Sequence, residues 1–323
     1  MALIRRVKPD LVVGDFRLSL SVSARRSGRP YAAVTNAYWS PHVKDRTLPM
    51  PVLPITQVLP LPVAGVLFDT FSPFVARLFG RPLNQARRAY GLPALKSDLR
   101  VAYTDADHVL YADSHAMFDC APLPDNHRRI GPILWAPPMD PPDWWQHIDA
   151  SRPVVYLTLG SSGPPELLAV ALEALAPLGV TVIASTAGAK VVPATTKNVH
   201  VAAYLPGIEA AARASLVICN GGSPTAQQAL AAGVPVLGIA SNMDQFLNMA
   251  SVAQAGAGIL LRADRAGCTA IRDAAGLMLS PRRFAEAAIA LSRDFAALDA
   301  KTEFCSFVGE VTADRPASTQ AAP

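Results

Sequence analysis

Length, composition and charge limit the classes to which this chain can belong. Its 323 residues exceed one ordinary domain and suit two, each large enough to bury its own core. Hydrophobic residues make up 51% of the chain and charged residues 17%, which argues against disorder and suits sheets that are buried on both faces. Because the net charge is only +4 and no long run of like charges occurs, we do not expect nucleic acid as a partner.

The cysteines and the apolar segments indicate a compartment. The four cysteines lack the CxxC spacing of a metal or redox motif, and Cys219 ends an apolar run typical of a buried strand. The first residues contain no apolar core of a signal peptide. The longest apolar stretch, residues 52–68, is interrupted by Pro54, Pro60 and Pro62, which argues against a spanning helix. We therefore expect a soluble cytoplasmic protein, or one that is at most peripheral to a membrane.

The N-terminal part of the chain begins with a strand, a helix and a second strand. The runs PDLVVGD and PYAAVTN are typical of buried strands, and residues 17–26 between them suit a helix. Residues 38–62 carry six prolines among apolar side chains, which predicts a long loop or lid without regular structure. A helix over residues 72–90 and a strand at HVLYAD are predicted to follow.

A proline-rich segment, residues 134–153, precedes a more regular pattern and is interpreted as an interdomain linker. Beyond it, continuous apolar runs alternate with helix-length segments, which predicts a parallel sheet covered by helices on both faces. We therefore predict an α/β protein with two domains, residues 1–133 and 154–311, the second of them doubly wound. Residues 281–298 suit a terminal helix, and residues 312–323 suit a disordered tail.

Three loops after apolar runs carry the residue types of a ligand site, because ligands bind at the carboxyl ends of the strands in a doubly wound sheet. The first, LGSSG at residues 159–163, combines glycines with hydroxyls that suit phosphate oxygens, although a simple tight turn is an equal alternative. The second, CNGGSPTAQQAL at residues 219–230, places Pro224 in the first turn of a helix and predicts an anion seat. Its alternative is a glycine turn that serves only helix packing. In the third, Asp244 and Gln245 open a helix and suit sugar hydroxyls, with a helix N-cap as the alternative.

The combination of these loops resembles a known family. The run NGGSPTAQQALAAGVPVLGIASNMDQFLNM resembles the donor-binding signature of the UDP-glycosyltransferase superfamily, whose usual form is HGG or HCG, a Ser or Thr, EAL, GVP and DQ followed by Asn. The segments YLP, RRAYGLP and GPILW extend the resemblance over nearly the whole chain. It implies the GT-B fold of two Rossmann-like domains, and a transferase that takes a sugar from a nucleoside diphosphate.

The resemblance also assigns residues to the donor. Tyr204 falls where the family stacks an aromatic ring on the base, with packing between strand and helix as the alternative. Leu205 falls where backbone atoms read the base, Gln228 at the ribose, and Asp244 and Gln245 at the sugar. The residues implied at the diphosphate are Ser161, Ser162, Asn220, Gly222, Ser223 and Thr225.

Two of these positions depart from the family. Asn220 replaces the diphosphate histidine and cannot carry a positive charge, so we expect weaker stabilisation of the leaving group. Gln228 replaces the ribose glutamate and lacks the charge that strengthens a hydrogen bond, so we expect lower nucleotide affinity or a different donor nucleotide.

The start of the chain departs further. The family's glycine-rich first loop and its general-base histidine have no counterpart here, and LVVGD resembles the later strand that ends in the aspartate orienting that histidine. The resemblance implies that Asp15 is this catalytic partner, and a strand-terminal turn residue is the alternative. We therefore expect an incomplete N-terminal domain with an unpaired edge at residues 11–14, which would self-associate or pair with another chain.

The predicted function is glycosyl transfer from a UDP- or dTDP-sugar to a hydroxyl, with inversion and without a metal or cofactor. The apolar residues 38–79 favour a lipophilic or lipid acceptor and possible peripheral membrane contact. An alternative is a degenerate homologue that binds nucleotide sugars without catalysis or needs a partner chain. A second alternative, an epimerase acting on the nucleotide sugar, is disfavoured because the DQ and GPILW segments resemble transferases.

Overall fold

The fold was analysed in a computed structural model that describes residues 1–96, 98–189, 198–280 and 282–313. The chain forms two compact units. Unit 1 comprises Met1–Arg46, Val66–Ile133 and the described residues from Leu298 to Ala313, and unit 2 comprises Thr47–Gly65 and the described residues of Leu134–Ala297. The described part of the predicted tail, Thr312 and Ala313, lies in a helix, and the rest of that prediction lies outside the described residues.

Strands and helices alternate along much of the chain. The strands are β1 (Val12–Asp15), β2 (Tyr31–Thr35), β3 (His108–Tyr111), β4 (His127–Arg129), β5 (Val154–Thr158), β6 (Thr181–Ser185), β7 (Val199–Ala202), β8 (Leu216–Cys219), β9 (Val236–Ala240) and β10 (Gly258–Arg262). The helices are α1 (Ala2–Val7), α2 (Leu20–Arg26), α3 (Pro54–Val58), α4 (Leu61–Ala89), α5 (Leu99–Tyr103), α6 (Glu166–Leu175), α7 (Gly207–Arg213), α8 (Ser223–Ala231), α9 (Met243–Gln254), α10 (Cys268–Leu279), α11 (Arg282–Phe295) and α12 (Ala300–Ala313). Short 3-10 turns lie at Ala37–Trp39, Asp143–His147, Ala176–Leu178 and Ala263–Arg265.

Unit 1 contains a parallel sheet in the order β1-β2-β3-β4. One face packs on α12 through Phe307, which joins Leu110 and Ile130 in a buried cluster. The other face packs on α2, where Ala24 contacts a cluster that includes Tyr31. Within the described residues, β1 pairs with β2 alone and lies at the edge of the sheet.

Unit 2 contains a second parallel sheet, in the order β10-β9-β8-β5-β6-β7. Strand order reverses between β5 and β8, the switch point of a doubly wound sheet. Leu172 of α6 and Ile271 of α10 belong to the core on one face. The continuous apolar runs of the sequence are fully buried strands, as in β5 and β9. The predicted α/β class is therefore confirmed.

The division into units differs from the predicted one in two places. The segment Thr47–Gly65 belongs to unit 2, where Arg262 Nη1 donates to Met50 O at 2.7 Å and Thr56 Oγ1 donates to Asp264 at 2.6 Å. At the other end, α12 belongs to unit 1, because its apolar side chains complete the first core. The helix predicted to be terminal, α11, is thus followed by another.

The region predicted to be a proline-rich loop contains more helix than expected. It includes α3, and α4 begins at Leu61, well before the predicted start at residue 72. Pro62 lies in the first helical turn, where its missing N–H is not needed, and α4 continues through Pro73 and Pro82. By length and composition α4 could cross a membrane, and 6% of its most apolar window is buried. The interruption that the prolines predict within residues 52–68 lies between α3 and α4, and the candidate span begins after Pro60.

Candidate donor-binding site

All strands of the second sheet run in the same direction, so the loops that follow them meet at one edge of unit 2. This edge carries the predicted donor-binding residues: Ser161 and Ser162 after β5, Tyr204 and Leu205 after β7, Asn220, Gly222, Ser223 and Thr225 at the β8–α8 junction, and Asp244 and Gln245 after β9. Gln228 lies one turn further along α8. The fold thus gathers residues that are distant in sequence.

The turn between β8 and α8 has the geometry of an anion seat. Gly221 has a positive φ of 81°, and a Cβ there would lie 2.6 Å from Met249 Cγ, so a larger residue would not fit. Gly222 is the N-cap residue of α8, and Pro224 occupies the first turn. The first N–H groups of a helix have no partner within it, and together with the helix dipole they favour an anion.

Ser162 joins the loops after β5, β8 and β9. Asn220 Nδ2 donates to Ser162 Oγ at 2.9 Å, and the Asn220 Oδ1 accepts from Gly222 N at 3.1 Å. Gln245 Nε2 lies 3.5 Å from the same Ser162 oxygen. Because amide donors occupy the lone pairs of the exposed Ser162 hydroxyl, its own proton points away from them and is available to a ligand.

Gln245 is buried, and most of its side-chain hydrogen bonds are made within the protein. It is 2% exposed, and its Oε1 accepts from Ser241 N at 2.8 Å and from Asn242 N at 3.3 Å. Asn242 Oδ1 accepts in return from Gln245 N at 3.0 Å, which completes a capping box at the start of α9. Only Nε2 of Gln245 is directed toward Ser162. Its neighbour Asp244 lies partly exposed in the first turn of the same helix.

Tyr204 stands beside the loop that follows β6. Its side chain is 58% exposed, and its hydroxyl oxygen lies 3.2 Å from the position that a Cβ of Gly188 would take. A cavity of about 240 Å³ lies between this loop and the loop after β5, with Ser161 and Thr186 in its wall. Leu205 is buried at 7% exposure. An aromatic ring this exposed is not a core residue.

Gln228 makes a contact that a glutamate at this position would not make. Its Nε2 donates to the carbonyl oxygen of Trp135 at 2.8 Å and holds the chain that enters unit 2. A carboxylate would face this carbonyl with acceptor atoms only. The glutamine that replaces the family's ribose glutamate therefore makes a hydrogen bond that requires its amide N–H.

Asn248 is a site residue to which the sequence analysis gave no role. It is fully buried on α9, and its Nδ2 donates to Gly221 O at 2.9 Å, which fixes the turn of the anion seat. The motif contained the signal, since Asn248 follows Gln245 by three residues and lies on the same side of the helix.

Cys219 closes β8 directly beneath the site. Burial raises the pKa of its thiol to about 12, and its Sγ accepts from Gly221 N at 3.3 Å. The thiol is neutral and supports the turn. Among the described residues, no group of three or more His, Cys, Asp or Glu side chains is placed to hold a metal ion.

Unit 1 carries the predicted catalytic residue and two polar clusters that sequence reasoning missed. Asp15 is the last residue of β1, and its side chain is exposed at the carboxyl edge of the first sheet. At the same edge, Asp113 is fully buried and accepts from Arg129 Nη1 at 2.9 Å and from the backbone of Ala37. Burial raises the pKa of Asp113 to about 6, so this carboxyl is ionised at pH 7 and paired with Arg129.

The second cluster connects Tyr111, Ser40 and His127. The Tyr111 hydroxyl donates to Ser40 Oγ at 2.7 Å and lies 2.9 Å from His127 Nδ1. Burial, and then the proximity of His42, lowers the pKa of His127 to about 4. His127 is therefore neutral near pH 7. The strand HVLYAD gave a weak signal for both clusters, because it ends in Tyr111 and leads to Asp113.

Comparison with known proteins defines the class. Residues 169–310 match the family described as erythromycin biosynthesis protein CIII-like, C-terminal domain. The PGL/p-HBAD biosynthesis glycosyltransferase of Mycobacterium tuberculosis is 49% identical over 293 residues, which are 91% of this chain and 68% of that protein. The PGL/p-HBAD biosynthesis rhamnosyltransferase of Mycobacterium bovis is 46% identical over 295 residues, with 91% and 66% coverage. The solved spinosyn rhamnosyltransferase SpnG with thymidine diphosphate superposes with a TM-score of 0.67 at 21% identity, and the match covers 95% of this chain and 75% of that one.

The fold is that of the GT-B glycosyltransferases. The chain belongs to the same family as the mycobacterial glycosyltransferases and is an enzyme of that class. The family resemblance and the enzyme class predicted from the sequence are confirmed.

Proposed function

We propose that the enzyme transfers a sugar from a nucleoside diphosphate to a hydroxyl group of a lipophilic acceptor, with inversion at the anomeric carbon and without a metal. The observation that carries this proposal is the convergence of Ser162, Asn220 and the start of α8 at one edge of the sheet. A diphosphate there accepts from the Ser162 hydroxyl and from the first N–H groups of α8. These donors stabilise the charge that develops on the leaving group.

The donor nucleotide that we favour is dTDP, with UDP as its competitor, and the sugar that we favour is rhamnose. Two comparisons support this choice: a relative is named a rhamnosyltransferase, and a structural neighbour is a rhamnosyltransferase crystallised with thymidine diphosphate. The names of both mycobacterial relatives place them in PGL/p-HBAD biosynthesis, and we propose an acceptor from this biosynthesis. The base lies against Tyr204, and the sugar lies near Asp244 at the start of α9.

Asp15 is proposed to act in the activation of the acceptor hydroxyl as the partner of a proton-accepting group. The competing proposal is a homologue that binds the donor and does not transfer the sugar. The departures at Asn220 and Gln228 favour it, because each removes a charge that the family uses. Binding and transfer therefore have to be measured separately.

The test of donor binding uses the hydroxyl of Ser162. In calorimetric titrations with dTDP and with UDP, Ser162→Ala should weaken binding of the preferred nucleotide about tenfold or more, because a hydrogen bond to a charged group contributes about 1.5 to 3 kcal/mol. The matched control is Ser215→Ala, since Ser215 is exposed at the opposite edge of the same sheet, where its N–H donates to Val154 O. Equal affinities for wild type and Ser162→Ala would refute the proposed diphosphate position.

The test of transfer uses dTDP-rhamnose and a long-chain alkyl alcohol or glycoside as acceptor. Product that carries the inverted anomeric configuration supports the proposed reaction. If the chain binds the donor but forms no product with any lipophilic acceptor, the result would favour the non-catalytic homologue.

A further inference from the structure

The helix α4 presents an apolar face that the rest of the described chain does not cover. Its side chains recur at spacings of three and four residues, which places them on one side of a helix: Leu67, Phe71, Phe74, Val75, Leu78 and Phe79. Phe71 is 56% exposed, Phe74 59% and Phe79 74%. We refer to these six residues as the α4 apolar face. Three phenylalanine rings in water on one helix face are unfavourable, because burying apolar surface stabilises a protein.

Basic residues follow one border of this face. Arg77, Arg81 and Arg88 are exposed and are separated by four and seven residues, so they form a row beside the apolar side chains. The single acidic residue of the helix, Asp69, lies on the other side. The arginine row therefore places positive charge at the edge of the apolar face. This combination complements a surface that is apolar and carries negative charge.

A second basic helix lies close to the C-terminal half of α4. Met1 lines a groove together with Pro82, Ala86 and Tyr90, so α1 begins beside this part of α4. That helix exposes Leu3 and Val7 and carries Arg5 and Arg6, followed by Lys8. Apolar and basic side chains of α1 therefore lie close to the C-terminal half of α4.

The C-terminal turns of α4 are fixed to unit 1. Arg87 is buried, forms an ion pair with Asp105 and donates through Nε to Pro93 O at 2.7 Å. Asn84 Nδ2 donates to Leu95 O at 3.1 Å, and Leu95 N donates to Asn84 Oδ1 at 2.7 Å. A helix that crosses a bilayer at this point would have to break these contacts or bury Arg77 and Arg81 in hydrocarbon. A helix that lies in the membrane plane keeps them.

We propose that the α4 apolar face docks on an anionic lipid surface, with the helix axis parallel to the membrane. The phenylalanine and leucine side chains enter the boundary between headgroups and acyl chains, and the arginines bind lipid phosphates. This contact is independent of the donor site in unit 2, so it stands or falls separately from the proposed sugar transfer. It would place the enzyme where a lipophilic acceptor resides.

The experiment is flotation of the full chain with phosphatidylcholine vesicles that contain or lack phosphatidylglycerol. The wild-type chain should float with the anionic vesicles and dissociate at high salt. The double variant Phe71→Gln, Phe74→Gln should lower the partition coefficient about tenfold or more. The double variant Arg77→Gln, Arg81→Gln should lower it about fivefold per arginine on anionic vesicles only.

Matched controls come from unit 2, where Leu277 is an exposed apolar residue on α10 and Arg293 an exposed basic residue on α11. Leu277→Gln and Arg293→Gln should float as the wild type does. Unchanged dTDP binding and near-ultraviolet circular dichroism would show that each variant is folded. Absence of vesicle binding by the folded wild-type chain would overturn the proposal. A second result would also overturn it. If the wild-type chain does not float and forms a dimer that the Phe71→Gln, Phe74→Gln variant does not form, the α4 apolar face binds a second copy of the chain.

Discussion

Asn220 stands where the family has a histidine, and it keeps hydrogen bonds to the neighbouring loops of the candidate site. Its carboxamide is used on both sides, since Oδ1 accepts from Gly222 N and Nδ2 donates to Ser162 Oγ. The residue therefore does not act on the diphosphate with a charge of its own. It holds the Ser162 hydroxyl, which is the donor that we propose for the diphosphate.

Tyr204 gives a prediction at the scale of one residue. Tyr204→Ala should weaken binding of the nucleoside diphosphate by about 1 to 3 kcal/mol, the contribution of a base stacked on an aromatic ring. Tyr204→Phe keeps the ring and should bind close to the wild type, because stacking on the base depends on the ring and not on its hydroxyl. Isothermal titration calorimetry measures both changes.

The control for this prediction is Tyr90→Ala, since Tyr90 is also exposed but lies in unit 1. It should bind the nucleotide as the wild type does. A dissociation constant unchanged in Tyr204→Ala would show that the ring contacts no base.

At the scale of an element, the start of α9 combines a structural cap with the sugar-binding signature. The side chain of each of Asn242 and Gln245 accepts a hydrogen bond from the backbone N–H of the other. The Gln245 carboxamide, which the family resemblance assigns to the sugar, is therefore also part of the helix cap. The N-cap that the sequence offered as the alternative role for Asp244 is Asn242 instead, and Asp244 lies in the first turn that follows. Asn242 holds the cap, and the Nε2 of Gln245 faces Ser162.

The cap predicts a stability change that binding residues would not give. Asn242→Ala should lower the free energy of unfolding by about 1 kcal/mol, whereas Asn242→Asp, which keeps an acceptor oxygen, should remain close to the wild type. Urea denaturation followed by circular dichroism measures the difference. Equal stability of the Ala variant and the wild type would show that the capping box contributes nothing.

At the scale of the whole molecule, His127 links stability to pH. The pKa of a histidine in an unfolded chain is about 6.5, whereas burial and His42 hold that of folded His127 at about 4. Between these values the unfolded state binds more protons, so the contribution of His127 to stability is present above pH 6.5 and is lost as the pH falls toward 4. The raised pKa of Asp113 changes stability with pH in the opposite direction. The effect of His127 therefore has to be measured as the difference in stability between the wild type and a His127 variant.

We therefore predict that the stability gap between wild type and His127→Phe changes with pH. The wild-type chain should lose free energy of unfolding relative to the variant as the pH falls from about 7 to about 4.5. Denaturant titrations at several pH values in that interval measure this gap, and the Asp113 contribution cancels in it. Two parallel curves would show that His127 titrates alike in the folded and unfolded chains.

The sequence by itself determined the α/β class, the doubly wound C-terminal part and the loops that form the candidate donor site. These features are local: apolar runs specify buried strands, and glycine, proline and hydroxyl residues specify the turns that follow them. The motif from Asn220 to Met249 placed the site residues in order before any fold was known.

Only the tertiary structure decided which atoms of those residues are used and which segments complete each unit. The roles of Ser162, Gln228 and Asn248 depend on partners many residues away, and no local pattern predicts such pairings. The same reason explains why α12 packs on the first sheet. Local patterning predicted the helix over residues 72–90, and the contacts of Asn84 and Arg87 secure its C-terminal end.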